Sequence, residues 1–246
     1  MLKRMFAGAL FAGLSAGAVS ALLQLTFVVP LIQEAELYES GALTHFGGSA
    51  PVAPGVDDLA TGVQDAAPAG GTAPDEASAD DETPQVSRAA GTVGMLIVTW
   101  TGFALVLVAG FALAERGGHA VTARGGVVWG LCGFLAFQLA PAFGLPPELP
   151  GAGAAALEAR QIWWTGSVIA TVAALGLLGL GSGALPLAAG TVLLLLPHLI
   201  GAPSSPYRGV VPPELSAHFA ARALGVGALS WALLGAVAGT LWARGR

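Results

Sequence analysis

Lysine occurs once in the 246 residues, at Lys3, and charged residues of every kind make up only 10% of the chain. With no lysine after residue 3, a G-x-x-x-x-G-K phosphate loop is excluded. Any transport by this chain must draw on a gradient, on the membrane potential or on a partner chain. Cysteine also occurs once, at Cys132 inside an apolar run, so no intramolecular disulfide can form and packing is its plain role. So little charge, with 54% hydrophobic residues and a mean hydropathy of +0.72, cannot make a water-soluble surface. The chain reads as a membrane protein with lipid around it, and no nucleic-acid partner is expected.

Glycine is abundant, at 36 residues, which suits transmembrane helices whose backbones must approach closely because lipid supplies no hydrophobic drive for association. Residues 5 to 33 carry no charge, more than the roughly 20 residues that cross a hydrocarbon core. Lys3 and Arg4 before them resemble a signal-peptide n-region, but the apolar run continues to Pro30 without a polar boundary, so an uncleaved anchor is expected. Uncharged runs resume at residues 89 to 114, 125 to 147, 161 to 207 and 223 to 243. The 47-residue run is long enough for two spans, with Gly179, Gly181, Ser182 and Gly183 marking the turn and Pro186 just inside the next helix. The expectation is an all-α polytopic bundle of six transmembrane helices in a single membrane domain over 1–246. The spans lie near 6–30, 91–114, 125–144, 161–179, 184–201 and 218–242. Between the first two, residues 40–88 are rich in Ala, Pro, Gly and Asp, with too few large apolar residues to bury a core; a disordered acidic loop is expected there.

Charge orients the bundle. With both termini in the cytoplasm, Lys3, Arg4, Arg116, Arg124, Arg244 and Arg246 fall in short inside segments, as the positive-inside rule requires. Fourteen of the fifteen acids, all but Glu115, and His45, His198 and His218 then share the outer face. Carboxylate and imidazole together suit a borderline divalent ion such as Co, Ni, Zn or Fe. Candidate metal residues are Glu34 at the exit of the first span, Glu148 and Glu158 between the third and fourth, His198 at the end of the fifth and Glu214 before the sixth. Leu145 to Trp164, LPPELPGAGAAALEARQIWW, is the inter-span loop richest in such groups, and prolines 146, 147 and 150 stiffen the turn that holds Glu148. In the helix after it Leu157, Arg160, Gln161 and Trp164 share one face, so Arg160 can orient Glu148 or Glu158 while Trp163 and Trp164 set the depth of the span. His198, one residue after Pro197, is a polar group near a broken helix bond.

Enzyme motifs fail on context. GLSAG at 13–17 matches a nucleophile elbow, but Ser15 lies inside a span, roughly 14 Å from its cytoplasmic end, with no strand before it. GLGSG at 179–183 lacks the strand and the glycine spacing of a dinucleotide loop. No catalysis and no tightly bound cofactor are expected. The pairs Gly13 with Gly17 and Gly235 with Gly239 read as helix-packing positions.

Five stretches, QLTFVVPLIQEAELYE (24–39), APAFGLPPELPG (140–151), ALEARQIWW (156–164), LLLPHLIGAP (194–203) and VPPELSAHFA (211–220), resemble the cobalt transporter subunit family CbtA in order and over all spans. The resemblance implies a bacterial inner-membrane protein that takes part in cobalt uptake beside a small one-span subunit, CbtB, with a His-containing end. Similar proteins often interleave histidines with acids in the first outer loop, where this chain has only His45. They often have His at the position of Gln138, which offers an amide oxygen and no imidazole. The reading is a membrane subunit that passes a divalent ion, cobalt by resemblance, inward from the outer face. Its alternative is a non-transporting scaffold that stabilises a partner transporter.

Overall fold

The computed structural model describes residues 2–44, 82–204 and 209–245. Among them there is no strand, and the chain forms six helices. The first, α1, comprises Leu2–Leu23, a π-helical turn at Gln24–Val28 and Val29–Glu39. Then come α2 (Glu82–Arg116) and α3, which comprises Ala123–Phe134, a π turn at Leu135–Leu139 and the short Ala140–Ala142. The last three are α4 (Leu157–Leu180), α5 (Ala184–Ile200) and α6 (Pro213–Arg244). Five of the six are long and apolar enough to cross a membrane, and α5, with 17 residues, is shorter but apolar. The chain is an integral membrane protein of the all-α class.

Most helices outrun the apolar stretches expected of them. Helix α1 continues through Glu34, Glu36 and Glu39, and α2 starts at Glu82, so residues 82–88 of the expected loop are helical. The reason is physical: charge marks where hydrocarbon ends, whereas the backbone ladder stops only where caps and breakers stop it. Residues 45–81 of that loop, His45 included, lie outside the described residues. The turn expected at 179–183 is present, with Gly183 at φ 96° directly before α5.

Glycine decides the packing. Helices α3 and α6 run antiparallel and press Gly126 and Gly130 against Gly235 and Gly239, so closely that a methyl on Gly130 would strike the Trp231 carbonyl and one on Gly126 that of Gly235. Helix α1 meets α2 through Gly13 and Gly17, where an added Cβ would lie 2.5 Å from Thr101 Cα and 2.8 Å from Ile97 Cα. Helix α6 therefore sits between α1 and α3 as the central element, while α5 packs chiefly on α4. Trp100, Phe103, Phe137 and Trp231 fill the middle, with Trp100 and Trp231 edge-on at 5.5 Å between ring centroids. A second cluster, toward the end of the bundle that carries Glu39, Glu148 and Glu214, joins Val28, Leu31 and Ala35 of α1 to Leu215, Phe219 and Val226 of α6. Leu149, 4% exposed, plugs into this cluster, so the proline loop is anchored one residue from Glu148. Gly151 secures it further: its φ of 76° allows the turn, and its carbonyl accepts the Val210 N–H.

Candidate functional site

Two apolar helices are interrupted by the same device. Pro30 and Pro141 each stand two residues beyond a π turn. A proline offers no N–H to the carbonyl four residues back, and its ring pushes that carbonyl away, so the preceding turn widens. Accordingly the Val29 N–H reaches back five residues to Gln24 O, and the Ala140 N–H reaches Leu135 O. Arg222 Nη1 donates to Phe27 O at 3.3 Å, and the Gln138 side chain lies against Gly227. The two π turns thus flank one stretch of α6, and each contributes a glutamine, Gln24 or Gln138, to the space between them.

That space is a cavity of about 400 Å³. Its walls are Gln24 of α1, Phe137 and Gln138 of α3, Arg160, Gln161 and Trp164 of α4, and Ala223 and Leu224 of α6. Pro146, Pro147 and Glu148 close one side. Inside it Arg160 Nη2 and Glu148 Oε2 form an ion pair at 2.8 Å, with side chains 32% and 23% exposed. The pairing selects Glu148 over Glu158 as the carboxylate that Arg160 orients. Gln138 Oε1 is buried and has no hydrogen-bond partner among the described residues. Trp164 leans on Phe137 at 6.4 Å between centroids, closing the wall behind the amides.

Of the residues expected from sequence, Glu148, Arg160, Gln161, Trp164 and Gln138 are brought together here. Glu34, Glu158 and Glu214 are exposed: Glu34 lies about 15 Å along α1 from Gln24, and Glu158 and Glu214 occupy the first turns of α4 and α6. Carboxylates in a first turn face the positive end of the helix dipole, which is a sufficient structural reason for both. His198 is exposed in the last turn of α5, edge-on to Phe143 at 5.9 Å and to Trp163 at 6.3 Å, and does not line the cavity. Among the described residues no group of three or more His, Cys, Asp or Glu side chains is arranged to hold a metal ion. Gln24 was not singled out from sequence, although a glutamine shortly before a proline in an apolar run, six residues at Gln24 and Pro30 and three at Gln138 and Pro141, is a readable signal.

The chemistry on offer is a dipole with neutral surroundings: one carboxylate, one guanidinium and three amides against aromatic and proline walls. A divalent ion on the free oxygen of Glu148 would stand about 5 Å from Arg160, and roughly 7 kcal/mol of repulsion at an effective dielectric of 20 would offset about half of its attraction to the nearer carboxylate. A cargo that gives both charges a partner avoids that offset.

The comparisons decide the family. A family model described as "Probable cobalt transporter subunit (CbtA)" matches residues 2–243. The chain belongs to the CbtA family. It is thus a cobalt transporter subunit by family, in a family of transporter subunits rather than of enzymes, and a subunit implies a partner. No curated protein and no solved structure matches the chain.

Proposed function

We propose that this CbtA chain takes the transported metal, cobalt by family, into the cavity between its two π turns, with Glu148 as the carboxylate that meets it. The observation that carries this reading is the Arg160–Glu148 ion pair held inside a cavity that two interrupted helices line. Interrupted helices at membrane depth are tolerated where they line a cavity, and ionisable residues there mark the path of a solute. The carbonyl oxygens of Gln24 and Gln161 add neutral donors. An all-oxygen set binds a transition ion weakly, which suits release on the far side, and by itself does not favour cobalt over magnesium. In this reading the cavity opens toward the outside of a bacterial-type inner membrane. Glu34, Glu158 and Glu214 on the exposed rim raise the local cation concentration, and a small one-span subunit of the CbtB kind is the partner.

Radioactive cobalt uptake into cells expressing the chain, with and without such a subunit, tests the reading. Glu148→Gln is expected to lower uptake at least tenfold at equal membrane abundance. Loss on His198→Ala with Glu148→Gln unaffected would move the metal contact to the α4–α5 flank. Uptake that survives every carboxylate substitution but fails when the packing glycines are changed would make the chain a scaffold.

A further inference from the structure

We infer that the cavity receives the metal as a small carboxylate chelate, its metal end on Glu148 and its carboxylate end on Arg160. This rests on the cavity being the metal's way in, and it adds the chemical form of the cargo. Three observations carry it. The first is size: the cavity is about 400 Å³, whereas six waters around one ion occupy roughly 180 Å³ at ~30 Å³ each. The second is charge. Glu148 and Arg160 sum to zero and are already joined, so a bare cation on Glu148 competes with Arg160 for the carboxylate and is repelled by it. A chelate with a positive metal end and a free or half-bound carboxylate replaces one internal ion pair by two external ones. Both partly buried charges remain compensated, and the planar guanidinium can grip a carboxylate through two parallel bonds.

The third observation is the lining. Among its groups, the Gln161 amide oxygen can accept an N–H of an amino-acid chelator, whether ammonium, amine or imidazole. Trp164 beside it offers a face to a flat organic group and nothing to an aquo ion. The metal-side demand is met by the chelator as well: no cluster of three ionisable ligands is present among the described residues, so the remaining coordination positions are filled by atoms the cargo brings with it. Glu148 takes the place of one water on the metal, which leaves to solvent, and no other bond of the cargo is broken.

Equilibrium binding to the purified full chain in lipid nanodiscs decides the matter without requiring a partner subunit. Labelled cobalt is offered as the chloride, with L-histidine, with citrate, and with ethylenediamine, which chelates but has no carboxylate; carbon-labelled histidine reports the chelator. The expected result is retention of histidine and cobalt together, with half-saturation at least tenfold lower for the histidine or citrate complex than for the ethylenediamine complex. Arg160→Gln is expected to erase that difference, and Arg160→Lys to restore part of it, with unfolding temperature in the nanodisc as the control for folding. Cobalt that binds alike in every form, with no histidine retained, would overturn the chelate and leave Glu148 as a site for the free ion. Binding of neither form would overturn both readings.

Discussion

Leu149 and Glu148 are neighbours with opposite fates, one plugged into the α1–α6 cluster and the other turned into the cavity. The leucine is what gives the carboxylate a fixed position, because three prolines stiffen the loop but do not attach it to anything. Leu149→Ala removes a side chain of 4% exposure and is expected to cost about 2–5 kcal/mol of loop anchoring. Faster protease cleavage within residues 146–151 and a higher half-saturation for cobalt, with the helices intact by circular dichroism, would record it. Arg88 and Glu36 make the contrasting case. Their contact is short, 2.6 Å, yet the side chains are 67% and 37% exposed, so the pair contributes at most about 1 kcal/mol. Arg88→Gln is expected to leave unfolding temperature and cobalt binding unchanged within error; a fall of several degrees would show that the bridge holds α1 to α2.

At the scale of helices, the α3–α6 contact has no room for any side chain at Gly126, Gly130, Gly235 or Gly239. Gly130→Val is expected to force the pair apart at a cost of about 1–3 kcal/mol or more and to lower membrane abundance several-fold. Gly102→Val, at a position with open space around it, is the matched control that should not. The π turn of α3 makes a separate prediction. Pro141→Ala restores the missing N–H, lets the helix close to α geometry and swings Gln138 away from the cavity. In a Cys132→Ala background, which has no other thiol, a cysteine at position 138 is expected to react at least fivefold more slowly with a soluble maleimide once Pro141 is replaced. An unchanged rate would mean that the π turn does not depend on the proline. Helix number, the 179–183 turn and the packing glycines were legible in sequence because hydropathy and small-residue spacing are local signals. The π turns were not: a wide turn leaves the apolar period almost intact, so Gln24 passed as one polar residue in a span. The dispersal of Glu34, Glu158, Glu214 and His198 was also unreadable, since membership of one face does not fix azimuth around a bundle.

Across the whole molecule, charge is unevenly spread in sequence, with eleven of fifteen acids between Glu34 and Glu82. In the proposed function a field of that sign would concentrate cations outside the cavity, screened beyond about 10 Å at 0.1 M salt. Replacing the aspartates at 57, 58, 65, 80 and 81 by asparagine is therefore expected to slow cobalt uptake several-fold at low ionic strength and little at 0.5 M salt. An equal loss at both would mean that the loop binds metal directly. The central place of α6 has its own consequence for how the protein is made. Gly126 and Gly130 leave the ribosome about a hundred residues before Gly235 and Gly239, so until the chain is nearly finished the groove of α3 faces lipid or a chaperone. Helix α1 waits for the same partner. A ribosome that stalls before residue 213 leaves α1, α2 and α3 without the neighbour they share, and a membrane protease that surveys loosely packed spans would meet its substrate there.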